Sequence, residues 1–175
     1  MSNIIFPLQT SFLDYADNES LAVIVYMMGC IHNCQKCQNT YFSNKNYINS
    51  VSIDDKTLLK EIKKSCNKNR TNKVVLEGGD PLYDSNFKTT QFILNSNFDI
   101  MIYTGYDVSY VKSKGLKGFK YIKCGKYDDS LKQLSEKNDN KMTFASKNQK
   151  LFNANLELIS NNGVFYFNGW KEPKC

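Results

Sequence analysis

A chain of 175 residues with 41% hydrophobic and 13% aromatic residues suffices for a single domain whose core needs no disulfide support, and falls short of a complete eightfold (β/α) barrel of about 250 residues. Its formal charge of +6 invites a nucleic-acid reading, yet Arg70 is the only arginine; the residue that forks onto phosphates and guanine edges is nearly missing, and a solvated lysine surface is the simpler account. No stretch approaches the roughly 18 apolar residues of a membrane span and no basic-then-apolar leader opens the chain, so the expectation is a cytoplasmic protein that engages neither membrane nor nucleic acid.

In chain order, "LAVIVYMM" (21–28) is an apolar run of strand length that reads as a strand buried on both faces. It feeds directly into "GCIHNCQKCQN" (29–39), which holds three of the six cysteines and the only histidine. "SIDDKTLLKEIKKSC" predicts a helix with Ser52 as N-cap, acids in the first turn, lysines late, and a stripe of Leu58, Leu59 and Ile62. "KVVLEGGDP" is a β-branched strand ending at two glycines, and "SNFKTTQFILNSN" a helix in which Phe87, Gln91 and Leu94 recur at helical spacing. A third strand, "FDIMIYTGY", a short helix, "DVSYVKSKG", stopped by Gly115, and a fourth strand, "FKYIKCGKY", follow. The polar stretch from Asp128 to Lys150 reads as loop-rich, and "LELISNNGVFYFN" as a hairpin turning at Asn161, Asn162 and Gly163.

Strands alternating with helices predict an α/β fold around a parallel sheet, with ligands gathered beyond the strands' C-terminal ends. At this length the architecture is a shortened, open partial (β/α) barrel with a C-terminal β-hairpin, one domain over residues 1–175. The cysteine loop, the glycine loop and the "YTGY" segment all leave from such strand ends.

Cys30, Cys34 and Cys37 form a C-x3-C-x2-C pattern. Three readings compete. A structural zinc site closes with four ligands, commonly from two separated knuckles; there is no second knuckle, and His32 would have to fold back within one short turn. Ordinary core thiols have no reason to cluster among glycine and asparagine. A four-iron cluster held by three thiolates keeps one iron open for a ligand, whereas an electron-transfer cluster takes four. Dispersed through the chain, Cys66, Cys124 and Cys175 make no second cluster.

In the glycine loop, Gly78 and Gly79 permit close backbone approach, and Pro81 holds Asp80 extended. An ordinary strand-to-helix turn would use the same residues.

With these motifs the sequence resembles the radical S-adenosylmethionine enzymes, whose hallmark is this cysteine loop after the first strand of a partial (β/α) barrel. Within them it is similar to the group that activates anaerobic ribonucleoside-triphosphate reductases, through "GCIHNCQKCQN", "LEGGDPLY", "YTGY", "GKY" and "NQKLF". It departs from the group's pattern at Lys36, Gln38, Cys124 and Ala145. The resemblance implies a [4Fe-4S] cluster on Cys30, Cys34 and Cys37, and S-adenosylmethionine bordered by Lys36, Cys37, Gln38, Gly78, Gly79 and Asp80, with Lys126 toward its carboxylate. It implies a 5′-deoxyadenosyl radical that takes hydrogen from a glycine of the reductase's large catalytic subunit, and a flavodoxin-like or other reductant. No catalytic side chain is expected beyond the cluster and cofactor. His32 reads as a loop residue near the cluster, Trp170 as a packing or docking residue. The alternatives are a radical enzyme acting on a small molecule, such as a 7-deazaguanine synthase, and a zinc-binding module.

Overall fold

The computed structural model describes residues 1–17 and 21–167; Trp170 and Cys175 lie outside the described residues. Its strands are β1 (Ser2–Ile5), β2 (Gln9–Ser11), β3 (Ala22–Met27), β4 (Ser50–Ile53), β5 (Lys73–Gly78), β6 (Asp99–Thr104), β7 (Tyr121–Cys124), β8 (Glu136–Lys137), β9 (Lys141–Thr143), β10 (Lys150–Asn153) and β11 (Val164–Tyr166). The helices are α1 (Asp55–Asn69), α2 (Asp84–Leu94) and α3 (Val108–Ser113).

The four predicted strands form the parallel centre of an open sheet ordered β10-β7-β6-β5-β3-β1-β4, with β2 also on β3. The apolar β3 run is buried nearly throughout, as a parallel strand covered on both faces must be. Antiparallel strands complete both sides. On one, β10 pairs with β7; on the other, β1 lies between β3 and β4 and pairs antiparallel with each. The architecture is thus mixed α/β with an open sheet, and among the described residues the sheet does not close into a barrel.

Strand parity sorts the side chains into two cores. One face, with Val23, Val25, Met27, Val74, Leu76, Ile100, Ile102 and Ile122, packs on α1 and α2 through Leu58, Ile62, Ile93 and Leu94. The opposite face buries Ile24, Val75, Met101 and Leu151 against Tyr15 and against Met142 of β9 and Phe144 just after it. Burying this many aliphatic side chains, at about 1.5–3 kcal/mol each, is the main force holding the layers together.

Several expectations change. The first helix is capped by Asp54, which accepts from the backbone N–H groups of Lys56 and Thr57; Ser52 belongs to β4. A β-branched and serine-containing "SVSI" extends well beside β1, so the acidic residue nearer the helix takes the cap. In α2 the buried residues are Asn86, Thr89, Thr90, Ile93 and Leu94, while Gln91 is exposed. Polar atoms here are internalised because they find partners: Asn86 Nδ2 donates to the carbonyls of Met28 (2.8 Å) and Asp80 (2.9 Å), and the Thr90 hydroxyl to that of Pro81 (2.7 Å).

The stretch from Asp128 to Lys150 is not merely loop. It supplies β8, β9 and a 3-10 turn at Asp129–Leu131, and buries Met142, Thr143, Phe144, Ser146 and Gln149. The turn at Asn162 and Gly163 is tight, with both residues at positive φ and reciprocal bonds between Asn161 and Val164. The predicted hairpin is nonetheless corrected: beyond that turn β11 pairs with β9 in a sheet ordered β11-β9-β8, because Leu158 bridges instead to Phe152.

Candidate functional site

The cysteine loop begins at Gly29, whose φ of +101° and contact with the Tyr83 ring leave no room for a side chain. Its backbone is then tied on both sides: Gly29 N donates to Phe42 O (2.7 Å), Cys30 N to Ser43 O (3.1 Å), and Asp80 N to Gly29 O (2.8 Å). Cys30, Cys34 and Cys37 are free thiols, each half-buried.

The glycine loop abuts this backbone. A Cβ on Gly79 would lie 2.4 Å from the Gly29 carbonyl oxygen and 2.5 Å from that of Phe42, and one on Gly78 would lie 2.7 Å from the Met27 carbonyl. The close approach that the two glycines permit is therefore made by Gly79 to the start of the cysteine loop and by Gly78 to the end of β3.

Asp80 joins three strand ends. Its carboxylate accepts from Leu82 N (2.8 Å), the Thr104 hydroxyl (2.9 Å), Gly105 N (2.9 Å) and His32 Nε2 (2.8 Å). The Asp80 and His32 side chains are 1% and 6% exposed; such burial is tolerable only because the acceptor sites are filled. His32 is confined further by the edge of the Tyr106 ring, 4.5 Å between centroids, and by Gly105, where a Cβ would fall 2.2 Å from its ring. Its backbone N–H donates to Cys30 Sγ at 3.4 Å.

Of the predicted site residues, Cys30, Cys34, Cys37, Lys36, Gln38, Gly78, Gly79 and Lys126 all line one cavity of about 820 Å³. Asp80 does not; its carboxylate is committed to the four donors just named. Lys36 reaches from the rim to Asp129, 2.6 Å away.

Sequence reasoning missed Glu77 and Lys123, which also line this cavity. Tyr26 pairs in register with Glu77, and Tyr103 with Lys123, so four parallel strands present one polar row just below the loops. The row beneath it, Ile24, Val75, Met101 and Tyr121, is mostly apolar. Burial pushes the Glu77 carboxyl up to about 8, with Asp14 adding to the effect, and the Tyr26 hydroxyl is its side-chain hydrogen-bond partner. Burial likewise brings the Lys123 ammonium down to about 8, Glu77 opposing that through space. Lys123 Nζ lies 4.5 Å from the centroid of the Tyr103 ring. The available signal was parity: Glu77 occupies the same strand face as Val75, in a segment otherwise apolar.

The donor set fits an iron–sulfur cluster better than a closed mononuclear site. Cys30, His32 and Asp80 bring ligand atoms within 4.8 Å of one another, but His32 and Asp80 are already bonded together, whereas the three thiols open on the cavity. Burial raises the Cys30 thiol to about 11 and the Cys34 thiol also upward, so a metal must displace protons to bind there.

Comparison with known proteins agrees. A family model described as "4Fe-4S single cluster domain" matches residues 17–152. The anaerobic ribonucleoside-triphosphate reductase-activating protein of Enterobacteria phage T4 is 28% identical over 144 residues, covering 76% of this chain and 89% of that relative, which bears out the resemblance read from the motifs. No solved structure matches the chain. Among the described residues no helix is long and apolar enough to cross a membrane.

Proposed function

The chain belongs to the 4Fe-4S single cluster domain family, and from that premise we propose that it is the activating enzyme of an anaerobic ribonucleoside-triphosphate reductase, working in the cytoplasm as a radical S-adenosylmethionine protein on an open partial-barrel scaffold. The observation that carries this reading is the convergence of three free thiols, two glycines and Lys126 on a single cavity at the ends of parallel strands. The similarity to the T4 activating protein supports a ribonucleoside-triphosphate reductase as the partner, and on this reading the subunit acted on is the large catalytic one.

Cys30, Cys34 and Cys37 would hold a [4Fe-4S] cluster by three corners. When bound, the cluster and S-adenosylmethionine would supply the radical chemistry, by which hydrogen would be taken from the α-carbon of a reductase glycine. The chain's own groups bind and orient. Gly78 and Gly79 would offer backbone to the methionyl end, Lys36 and Gln38 would border the cofactor on the loop side, and Lys126 would pair with its carboxylate. Asp80 fixes the glycine loop against the cysteine loop through Leu82, Thr104, Gly105 and His32. The cysteine loop and residues 132–137 both line the cavity, a breadth of wall that would suit a polypeptide loop.

The test is anaerobic reconstitution followed by mixing with S-adenosylmethionine, a reductant and the cognate large subunit. A glycyl radical signal in that subunit is the expected result, and Cys30→Ala, Cys34→Ala or Cys37→Ala should each abolish cofactor cleavage. Zinc without iron, or cofactor cleavage that never yields the radical, would overturn the proposal.

A further inference from the structure

The cysteine loop, the glycine loop and Lys126 account for the cofactor on the reading given above, and three further groups in the thiol cavity have no part in it. Glu77, Lys123 and Thr143 all line that cavity. They come from β5, β7 and β9. Glu77 and Lys123 belong to the polar row of the parallel strands, and Thr143 to the second sheet, so the two sheets meet across this part of the space.

Each of the three is short of a partner. Glu77 is 7% exposed, and among the described residues its carboxyl has the Tyr26 hydroxyl as its one side-chain hydrogen-bond partner. Lys123 Nζ lies over the Tyr103 ring at 4.5 Å and toward the Phe144 ring at 5.9 Å. Among the described residues it has neither a hydrogen-bond acceptor nor an ion pair, Glu77 acting on it only through space. Thr143 is 7% exposed, and its hydroxyl has no hydrogen-bond partner among the described residues. A buried ammonium without an acceptor and a buried hydroxyl without a partner both cost stability, a cost that a ligand carrying acceptor atoms would recover.

The arrangement selects for a ligand that both donates and accepts. Because β6 stands between β5 and β7, Glu77 and Lys123 are two strand spacings apart, roughly 10 Å, which leaves the width of an extended chain between them. Tyr103 of β6 does not meet the need, since its hydroxyl is committed to the Asp14 carbonyl at 2.9 Å. Lys123 and Thr143 offer donors, and the Glu77 carboxyl accepts from an N–H in either protonation state. A peptide backbone presents the complement, one C=O and one N–H per residue. A target glycine has nothing else to present, so whatever orients it must hold the peptide groups on either side of its α-carbon. The cavity's edge suits a macromolecule: Leu13 and Leu134 line it yet are 60% and 77% exposed, apolar surface that a protein partner would cover.

We propose that Glu77, Lys123 and Thr143 are specificity-determining residues that hold the backbone of the reductase segment carrying the target glycine, Lys123 and Thr143 donating to its carbonyls and Glu77 accepting one of its N–H groups. The inference rests on the activating function proposed above and names how that substrate is held.

The experiment uses the anaerobically reconstituted holoprotein with S-adenosylmethionine, dithionite and the cognate large subunit, reading glycyl radical formation against subunit concentration, and cofactor affinity by calorimetry without the subunit. Lys123→Met, Glu77→Met and Thr143→Val should each raise the KM for the subunit about tenfold, the effect of losing one hydrogen bond to a buried group, with cofactor affinity at the wild-type value. Glu77→Gln, which keeps an acceptor oxygen, and Thr143→Ser, which keeps the hydroxyl, should restore KM. Thr143→Val should at the same time raise the urea midpoint, because the hydroxyl it removes is unpartnered in the free chain. A merely structural hydroxyl would not trade stability against substrate affinity, and this variant keeps the test decisive should a change at Glu77 or Lys123 fail to fold. An unchanged KM in Thr143→Val and Lys123→Met, or a loss of cofactor affinity as large as the loss of subunit affinity, overturns the assignment. A wild-type protein that assembles no cluster, or cleaves no S-adenosylmethionine, instead overturns the function on which it rests.

Discussion

Two buried carboxylates three residues apart meet opposite fates. Asp80, in the loop, has four protein donors from three strand ends. Glu77, at the end of β5, has the Tyr26 hydroxyl and a through-space pull from Lys123, and is pushed up to about 8 by its burial. The first carboxylate is structural because its environment was completed by the fold; the second faces the cavity with capacity left over. Acidic residues in one short segment thus divide by what the backbone aims at them.

Removing the saturated partner should have the larger effect. Asp80→Ala strands the buried Leu82 amide and Thr104 hydroxyl and the partly buried Gly105 amide, and at about 1–3 kcal/mol per unsatisfied group urea unfolding should show a loss of several kcal/mol together with a fall in reconstituted iron; wild-type stability in this variant would contradict the assigned role. Next comes Gly79→Ala. Its Cβ has backbone oxygens at 2.4 and 2.5 Å, which cannot yield as a side chain could, so about 1–3 kcal/mol should be lost and the two loops should part, as faster amide exchange at Gly29 and Cys30 would report.

Glu77→Gln should cost least and act mainly through pH. Folded, Glu77 keeps its proton up to about 8, above its ordinary 4.5. Its contribution is therefore full below about 4.5 and is lost as pH rises through that window. Lys123, brought down from 10.5 to about 8, acts in the opposite sense, so stability recovers between those values as pH rises. Glu77→Gln should flatten the stability profile between 4.5 and 8; an unchanged slope would show that Glu77 is ionised in the folded chain.

The strands at the centre of the sheet were legible because burial on both faces demands unbroken apolar runs, as in Val74, Val75 and Leu76. So were the three clustered thiols, whose spacing no packing requirement explains. What could not be read were features settled by distant partners. Ser2 to Ile5 becomes an internal strand only because residues 50–53 lie on its far side. Met142 and Phe144, in a polar neighbourhood, are buried because the face carrying Ile24 and Met101 needs cover. Ser52 and Asp54 both suit a helix cap, and the pairing of β4 chooses between them. The row of Tyr26, Glu77, Tyr103 and Lys123 required knowing the register of four strands at once.

The first strand has a consequence for how the cysteine loop is held. Because β1 bonds both the strand entering the cysteine loop and the one leaving it, with Asn3 accepting from Met28 N at 2.8 Å and donating to the Lys45 carbonyl at 2.7 Å, it splints the loop at its two roots. The entropy of closing that loop is thus offset by the hydrogen bonds of the sheet rather than by contacts within the loop, which sets the three thiols on a backbone anchored at both ends.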